Sequence, residues 1–357
     1  FWLGFNLVAG IGPKRLRALL DYCGDIGHAW NASATTLRAV GLPQDAIDQL
    51  LYQRNRLDLD ALLDRVTKAG VHLLTWADSS YPRRLLEIDD PPPLLYVRGD
   101  LLAEDEWAIA IVGTRSPSVY GKEVAHRLAG GLAAQGMTVI SGLALGIDAI
   151  AHRAALDNGG RTLAVLGSGV DMVYPSRHRA LADSIQTAGA LLSEYPLGTK
   201  PVAGNFPPRN RIISGMSLGT LVVEAGVQSG ALITLRYALE QGRETFAVPG
   251  SIHSRASAGT NRAIQRGEAK LVTCVEDILE ELNLQIAVQQ SQVRQAVPAD
   301  ATEEALLAHI GDEPLHIDEL VRRSGLSTAA VSSTLCLMEL KGLVRRVDNM
   351  SYVSAHD

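Results

Sequence analysis

The chain has 357 residues, 46% of them hydrophobic and 20% charged, which is ordinary for a water-exposed globular protein and long enough for two or three domains. Its three cysteines, Cys23, Cys274 and Cys336, are too few and too scattered for a disulfide framework or a CxxC metal site, and a reducing cytoplasm is the expected compartment. No apolar run is long enough to span a bilayer, and although the chain opens on Phe1, a removed targeting segment is not expected.

Thirty-three glycines against 5% aromatic residues favour an α/β fold with many tight strand-to-helix turns over a sandwich. The net charge of −6 speaks against nucleic-acid binding, because phosphate contacts supply most of that affinity. Its distribution is uneven: −4 over residues 1–106, +2 over 107–282, 0 over 283–300 and −4 over 301–357. Any nucleic-acid site is therefore expected in the middle segment, as a local pocket.

Residues 1–68 are predicted to be a helical domain, with Leu and Ala at helical spacing through Arg15–Tyr22, Ala46–Tyr52 and Leu57–Val66. The turn Gly10-Ile11-Gly12-Pro13-Lys14-Arg15 is either a helix-hairpin-helix phosphate clamp or a plain interhelical turn.

From Val71 the pattern becomes short apolar runs between turn residues: 71–75, 94–97, 108–112, 138–140, 162–166, 190–192, 219–223, 245–248 and 270–272. Amphipathic stretches separate many of them, so residues 69–282 are predicted to form a Rossmann-like, doubly wound, mostly parallel sheet. Residues 283–300 read as a linker. Residues 301–357 read as a winged helix: helices over 301–309, 316–324 and 328–341, then strands over 343–347 and 352–353.

Three glycine-containing turns follow strands directly: Gly113-Thr114-Arg115-Ser116, Ser141-Gly142 through Gly146 to Asp148, and Gly167-Ser168-Gly169. All should lie at the carboxyl edge of the sheet, where bare backbone and helix N-termini suit an anion. The segment Asn205-Phe206-Pro207-Pro208-Arg209-Asn210-Arg211 combines a stacking ring with two guanidiniums and an amide, a composition that suits single-stranded nucleic acid. A structural reading puts Phe206 in the core and pairs the arginines with Glu194 or Glu224. A further loop carries Ser229, Gly230 and Thr234. Glu224 beside it is expected to be a buried partner of Arg209 or Arg211, with a general acid/base as the other role. Asp148 and His152, four apart on a helix, are read as loop- and helix-fixing residues rather than a metal pair.

No GxGxxG or GxxxxGK[ST] motif is present, so neither hydride transfer nor nucleotide hydrolysis is expected. The ordered series AIVGTRSPSVYG (110–121), SGLALGIDAIAH (141–152), AVLGSGVDMVYP (164–175), LLSEYPLG (191–198), NFPPRNRIISGMS (205–217), VVEAGVQSGALIT (222–234) and AVPGSI (247–252) resembles the DprA/Smf family. That resemblance implies an extended Rossmann fold that binds single-stranded DNA, forms a homodimer through this core and helps load RecA recombinase during natural transformation. It implies neither catalysis nor a cofactor. By similarity, Arg115, Ser116, Lys200, Phe206, Arg209, Asn210 and Arg211 line the DNA pocket with the turns around Gly113, Gly142 and Gly167.

Two competing readings follow. One is a nucleotide-processing enzyme of the lysine-decarboxylase-like Rossmann group, whose PGGxGT turn is replaced here by Gln228-Ser229-Gly230-Ala231. The other is a winged-helix transcription regulator. Its recognition helix would begin Ser327-Thr328-Ala329-Ala330, with no side chain suited to reading base edges. The acidic winged domain is accordingly expected to contact protein, with DNA contact at most auxiliary through Arg345 and Arg346.

Overall fold

The computed structural model describes residues 1–282, 306, 309–310, 315–340, 344–348 and 351–354. Six helices lead the chain: α1 (Trp2–Asn6), α2 (Pro13–Cys23), α3 (Ile26–Asn31), α4 (Ala34–Ala39), α5 (Gln44–Arg54) and α6 (Leu59–Lys68). Side chains cap several of them, as Asp25 does for α3, Ser33 for α4 and Asp58 for α6, each accepting from amides of the first turn. Their core holds Phe5, Leu16, Leu19, Trp30, Ile47 and Leu50, with Phe5 and Trp30 edge to face at 5.1 Å. In the Gly10–Arg15 turn the Arg15 guanidinium folds back onto the Gly10 carbonyl.

All nine apolar runs become strands: β1 (His72–Thr75), β2 (Leu94–Gly99), β3 (Ala108–Val112), β4 (Thr138–Ser141), β5 (Thr162–Val165), β6 (Ala190–Ser193), β7 (Gly219–Val222), β8 (Glu244–Ala247) and β9 (Lys270–Leu271). They form one sheet in the order β1-β2-β6-β5-β4-β3-β7-β8-β9. Pairing is parallel from β6 to β9, and antiparallel where β2 joins β1 and β6.

The helices between and after the strands are α7 (Arg83–Leu86), α8 (Val119–Ala134), α9 (Ile147–Asp157), α10 (Arg179–Ala188), α11 (Phe206–Gly215), α12 (Ala231–Glu240), α13 (Ala258–Gln265) and α14 (Val275–Glu281). Strand β3 is buried at every residue, because helices cover both faces of the sheet; this is why it reads as an unbroken apolar run. Ala108, Ala110 and Val112 pack with Ile212, Ile213 and Leu235 from α11 and α12. On the other face Tyr96, Ala149, Ala164, Leu166 and Ile185 pack together with Leu3 and Val66 from the leading helices. Asn6 fastens those helices to the sheet by accepting from the Tyr96 hydroxyl (3.0 Å) and donating to the Glu194 carbonyl (3.1 Å). Helices and sheet accordingly form one compact unit, Phe1–Ile278.

The second unit contains β10 (Leu315–His316), α15 (Ile317–Ser324), α16 (Thr328–Leu340), β11 (Val344–Asp348) and β12 (Ser351–Ser354). Its strands pair antiparallel in the order β10-β12-β11 over a core that includes Ile317, Leu320, Val331 and Leu335. Two helices and the wing strands match the expected winged helix, and β10 is an addition too short to show as periodicity. The expected linker, and nearly all of the expected helix over 301–309, lie outside the described residues. Among the described residues no helix is long and apolar enough to cross a membrane.

Candidate nucleic-acid interface

From β3 the chain winds outward through β4 and β5 to β6, then crosses back to place β7 on the other side of β3. The loops that follow β3 and β7 therefore diverge and open a crevice at the carboxyl ends of the strands, where ligands bind in open α/β sheets. A cleft of about 570 Å³ lies there.

The turns are tied to one another. The Thr114 amide donates to the Glu224 carbonyl (2.7 Å), linking the loops after β3 and β7, and the Ile147 amide donates to the Thr114 carbonyl (3.2 Å). Gly146, at φ +81°, passes so close that a Cβ there would sit 2.3 Å from the Thr114 oxygen. No other residue type fits, so this turn can press against the first only with glycine. Leu143, buried in the same loop, takes a left-handed φ of +56°, a local strain of the kind found at binding sites. The Ser141 hydroxyl donates inward to the Ile111 carbonyl (2.6 Å), and the Gly169 amide to the Thr199 carbonyl (3.0 Å).

Phe206 opens α11 and stands half-buried on the cleft wall. The Arg115 and Arg209 guanidiniums lie 5.9 and 6.0 Å from its ring centre, and the Tyr174 ring 5.8 Å away. Gly113, Asn210, Ser229, Gly230 and Thr234 join the lining, as do Tyr174, Pro201 and Ala203, which composition did not single out. Tyr174 was hidden because a tyrosine on a loop carries no periodic signal. Ser116 and Lys200 are exposed and outside this cleft, and Ser141, Gly142, Gly146, Gly167 and Gly169 shape its frame rather than line it.

The two arginines of the 205–211 segment have different tasks. Arg209, 4% exposed, donates to the Gly142 carbonyl (3.0 Å) and the Val165 carbonyl, joining the ends of β4 and β5, while its Nε donates to Asn210 Oδ1 (3.2 Å). Burial pushes its guanidinium down to about 10, against the pull of Asp148 and Tyr195, so it stays charged at neutral pH. Arg211, 5% exposed, is outside the cleft lining and is held between Glu194 (2.8 Å) and Asp90 (3.0 Å). The pairing of Arg211 with Glu194 follows the structural reading; the cleft uses Arg115 in its place.

Glu224 corrects an expectation. It pairs with neither arginine: Ser118 donates to it from its amide (2.8 Å) and its hydroxyl (2.6 Å), and the same hydroxyl caps α8 by accepting from the Gly121 amide (3.0 Å). At 1% exposure and outside the cleft lining, this carboxylate is a structural anchor. Asp148 fixes its loop as expected, accepting from the Gly142 (3.1 Å) and Ala144 (3.3 Å) amides. Burial pushes its carboxyl above the ordinary range, with Arg209 opposing. His152 faces Thr162 Oγ1 at 2.6 Å rather than Asp148. Among the described residues no cluster of three or more His, Cys, Asp or Glu side chains could hold a metal.

The cleft is thus cationic at its mouth, aromatic on its wall and lined by backbone and small polar groups, a combination the sequence motifs had placed in DprA/Smf order. The model of the DNA recombination-mediator protein A family matches residues 72–283, and that of the DprA winged helix domain matches residues 290–350. The chain belongs to the DNA recombination-mediator protein A, or DprA/Smf, family. Protein Smf of Synechocystis sp. is 35% identical over 99% of this chain and 98% of its own length; Protein Smf of Escherichia coli is 40% identical over 93% and 92%. The structure of DNA processing protein A from Streptococcus pneumoniae superposes with a TM-score of 0.69 at 35% identity, covering 78% of this chain and 95% of that one. That of Helicobacter pylori DNA processing protein A, described for its single-stranded DNA binding mode, gives 0.54 at 30% identity over 59% and 96%. The likeness to the DprA/Smf family therefore spans the sheet and extends into the flanking domains.

Proposed function

We propose that the cleft at the carboxyl ends of β3 and β7 binds single-stranded DNA in a DNA-processing role. The observation that carries this is Phe206, set on the cleft wall between two guanidiniums. A base stacks on such a ring whatever its identity, while Arg115 meets the backbone phosphate. The Helicobacter pylori relative, described for binding single-stranded DNA, supports the same reading.

In this reading the protein works in the cytoplasm, pairs with a second copy through its sheet-bearing unit and helps load RecA recombinase onto the bound strand during natural transformation or recombination. No cofactor and no reaction on the strand are part of it. Glu224 is held by Ser118 outside the cleft lining, and Asp148, the carboxyl that does reach the cleft, is held by the Gly142 and Ala144 amides; both engagements support a role without catalysis. The winged unit would serve protein contacts.

Fluorescence anisotropy with labelled oligo-dT and its duplex counterpart, at two salt concentrations, tests the central claim. Salt-sensitive preference for the single strand, lost in an Arg115→Ala/Phe206→Ala variant, is the expected result. Equal binding of duplex, or binding untouched by both changes, would overturn it. RecA filament growth on strands covered by a single-strand-binding protein, with and without this protein, tests loading; release of free base from nucleoside monophosphates would return the enzyme to consideration.

A further inference from the structure

Arg115 lies on a ridge. On one side is the Phe206 cleft; on the other is a second, more open cleft of about 680 Å³ that Arg115 also lines, between the starts of α8 and α9 and the loop at residues 176–178. Lys122 projects into it from α8, Arg153 from α9 and Arg177 from the loop. All four cations are exposed, and among the described residues no carboxylate lines the cleft. By contrast Arg161 is paired with Asp105, Arg243 with Glu87 and Arg266 with Glu268 in the same unit. In a chain of net charge −6, four cations gathered without a carboxylate repel one another until an anion arrives.

Among the described residues no Phe, Tyr or Trp lines the second cleft, and its one imidazole, His178, is buried with Nδ1 on the Leu143 carbonyl (2.9 Å), so it offers bases no open face to stack on. Its exposed hydroxyl at Ser116 and its cations suit phosphate oxygens. Resting on the single-strand reading above, we infer that this cleft is a backbone-phosphate site that continues the strand's path over the Arg115 ridge. One base stacks at Phe206, and the phosphates that follow run between α8 and α9 toward Lys122, Arg153 and Arg177.

The test is a salt series of oligo-dT binding, with a strand of about 20 nucleotides so that both clefts are covered. The full-length Lys122→Ala/Arg153→Ala/Arg177→Ala variant is expected to bind about tenfold or more weakly at low salt, with a log K against log [salt] slope shallower by about 2, or about 0.7 per lost phosphate contact. Because all three side chains are exposed, its unfolding midpoint should match wild type; the single variants, each taking about 0.7 from the slope, give the same answer independently. An Arg38→Ala/Arg65→Ala/Lys68→Ala control makes the same change in net charge on the leading helices and should leave the slope alone.

Phe206→Ala should lose affinity while keeping the slope. A triple variant with wild-type affinity and slope, or a control that weakens binding equally, overturns the phosphate site while the Phe206 cleft stands. A wild-type protein that binds no single strand overturns the single-strand reading itself.

Discussion

The Arg115 guanidinium lies 5.9 Å from the centre of the Phe206 ring, although the two residues come from the β3 loop and from α11, 91 positions apart. The contact joins a cation to the face on which a base would stack, so the ring and the phosphate-binding group are held in one arrangement. Removing the ring should therefore separate stacking from charge. Phe206→Ala is expected to cost about 1–3 kcal/mol of single-strand affinity, roughly fivefold to a hundredfold in Kd, while Phe206→Trp retains most of it. Anisotropy titration measures this. Full affinity in Phe206→Ala would remove the ring from the site.

Gly167 offers a change that acts on the ring from behind. A Cβ there would lie 2.9 Å from Phe206 Cδ1 and 3.2 Å from Cε1. The half-buried ring can swing outward to relieve this, so Gly167→Ala should weaken single-strand binding while costing only about 1 kcal/mol of stability. Urea unfolding beside anisotropy distinguishes the outcomes; a large stability loss with unchanged affinity would mean that the backbone gave way instead.

Arg211 behaves differently from its neighbours in the motif. With the half-buried Glu194 and the exposed Asp90 on either side, Arg211→Ala removes the buried guanidinium that holds both carboxylates and should destabilise the fold by about 1.5–3 kcal/mol. Arg211→Ala combined with Glu194→Gln should recover part of that loss, because the stranded charge is gone. A DNA-binding defect in Arg211→Ala without loss of stability would instead return Arg211 to the pocket.

Glu224 and Ser118 form a single unit that caps α8 and closes the β3 loop. Ser118→Ala should cost about 1–2 kcal/mol, and Glu224→Ala more, because the former leaves a buried carboxylate short of a donor and the latter opens a cavity. A double-mutant cycle in urea should show strong coupling. Glu224→Gln, which keeps the shape, should bind single strands nearly as wild type.

His152 makes acid stability measurable. Thr162 Oγ1 donates to the Val139 carbonyl (2.7 Å) and so accepts from His152 Nδ1, which places the ring proton on Nδ1 and leaves Nε2 as a bare, buried acceptor. Burial pushes the imidazole down from 6.5 to about 3, with His178 and Arg209 adding to the shift. The unfolded chain binds this proton below pH 6.5 and the folded one does not until about pH 3. The stabilising contribution is therefore fully present above 6.5 and is lost, at about 1.4 kcal/mol per pH unit, as pH falls toward 3. Denaturant unfolding at pH 7 and pH 5 should show a smaller difference for His152→Gln than for wild type; identical differences would exclude His152 as the cause.

The sheet was legible in the sequence because a strand covered on both faces must be apolar at every residue. Ala108–Val112 meets that requirement with a run too short for a helix and ends on a glycine turn. Short apolar runs bounded by turn residues located the other strands, including the exposed edge strand β9, and the glycine edge, and the residue types of Asn205–Arg211 announced stacking and charge. Which of those side chains faces the cleft was not legible. Helical geometry places Arg209 and Arg211 on different sides of α11, so one reaches the ends of β4 and β5 and the other reaches Glu194 and Asp90. Glu224 could be matched to an arginine on the page, but strand pairing brings the β3 loop and Ser118 to it first. Local periodicity and turn chemistry are properties of a few consecutive residues, and the sequence by itself determined them. Partners more than a hundred residues apart, such as Ser118 with Glu224, depend on strand order and crossover direction, and only the tertiary structure decided those.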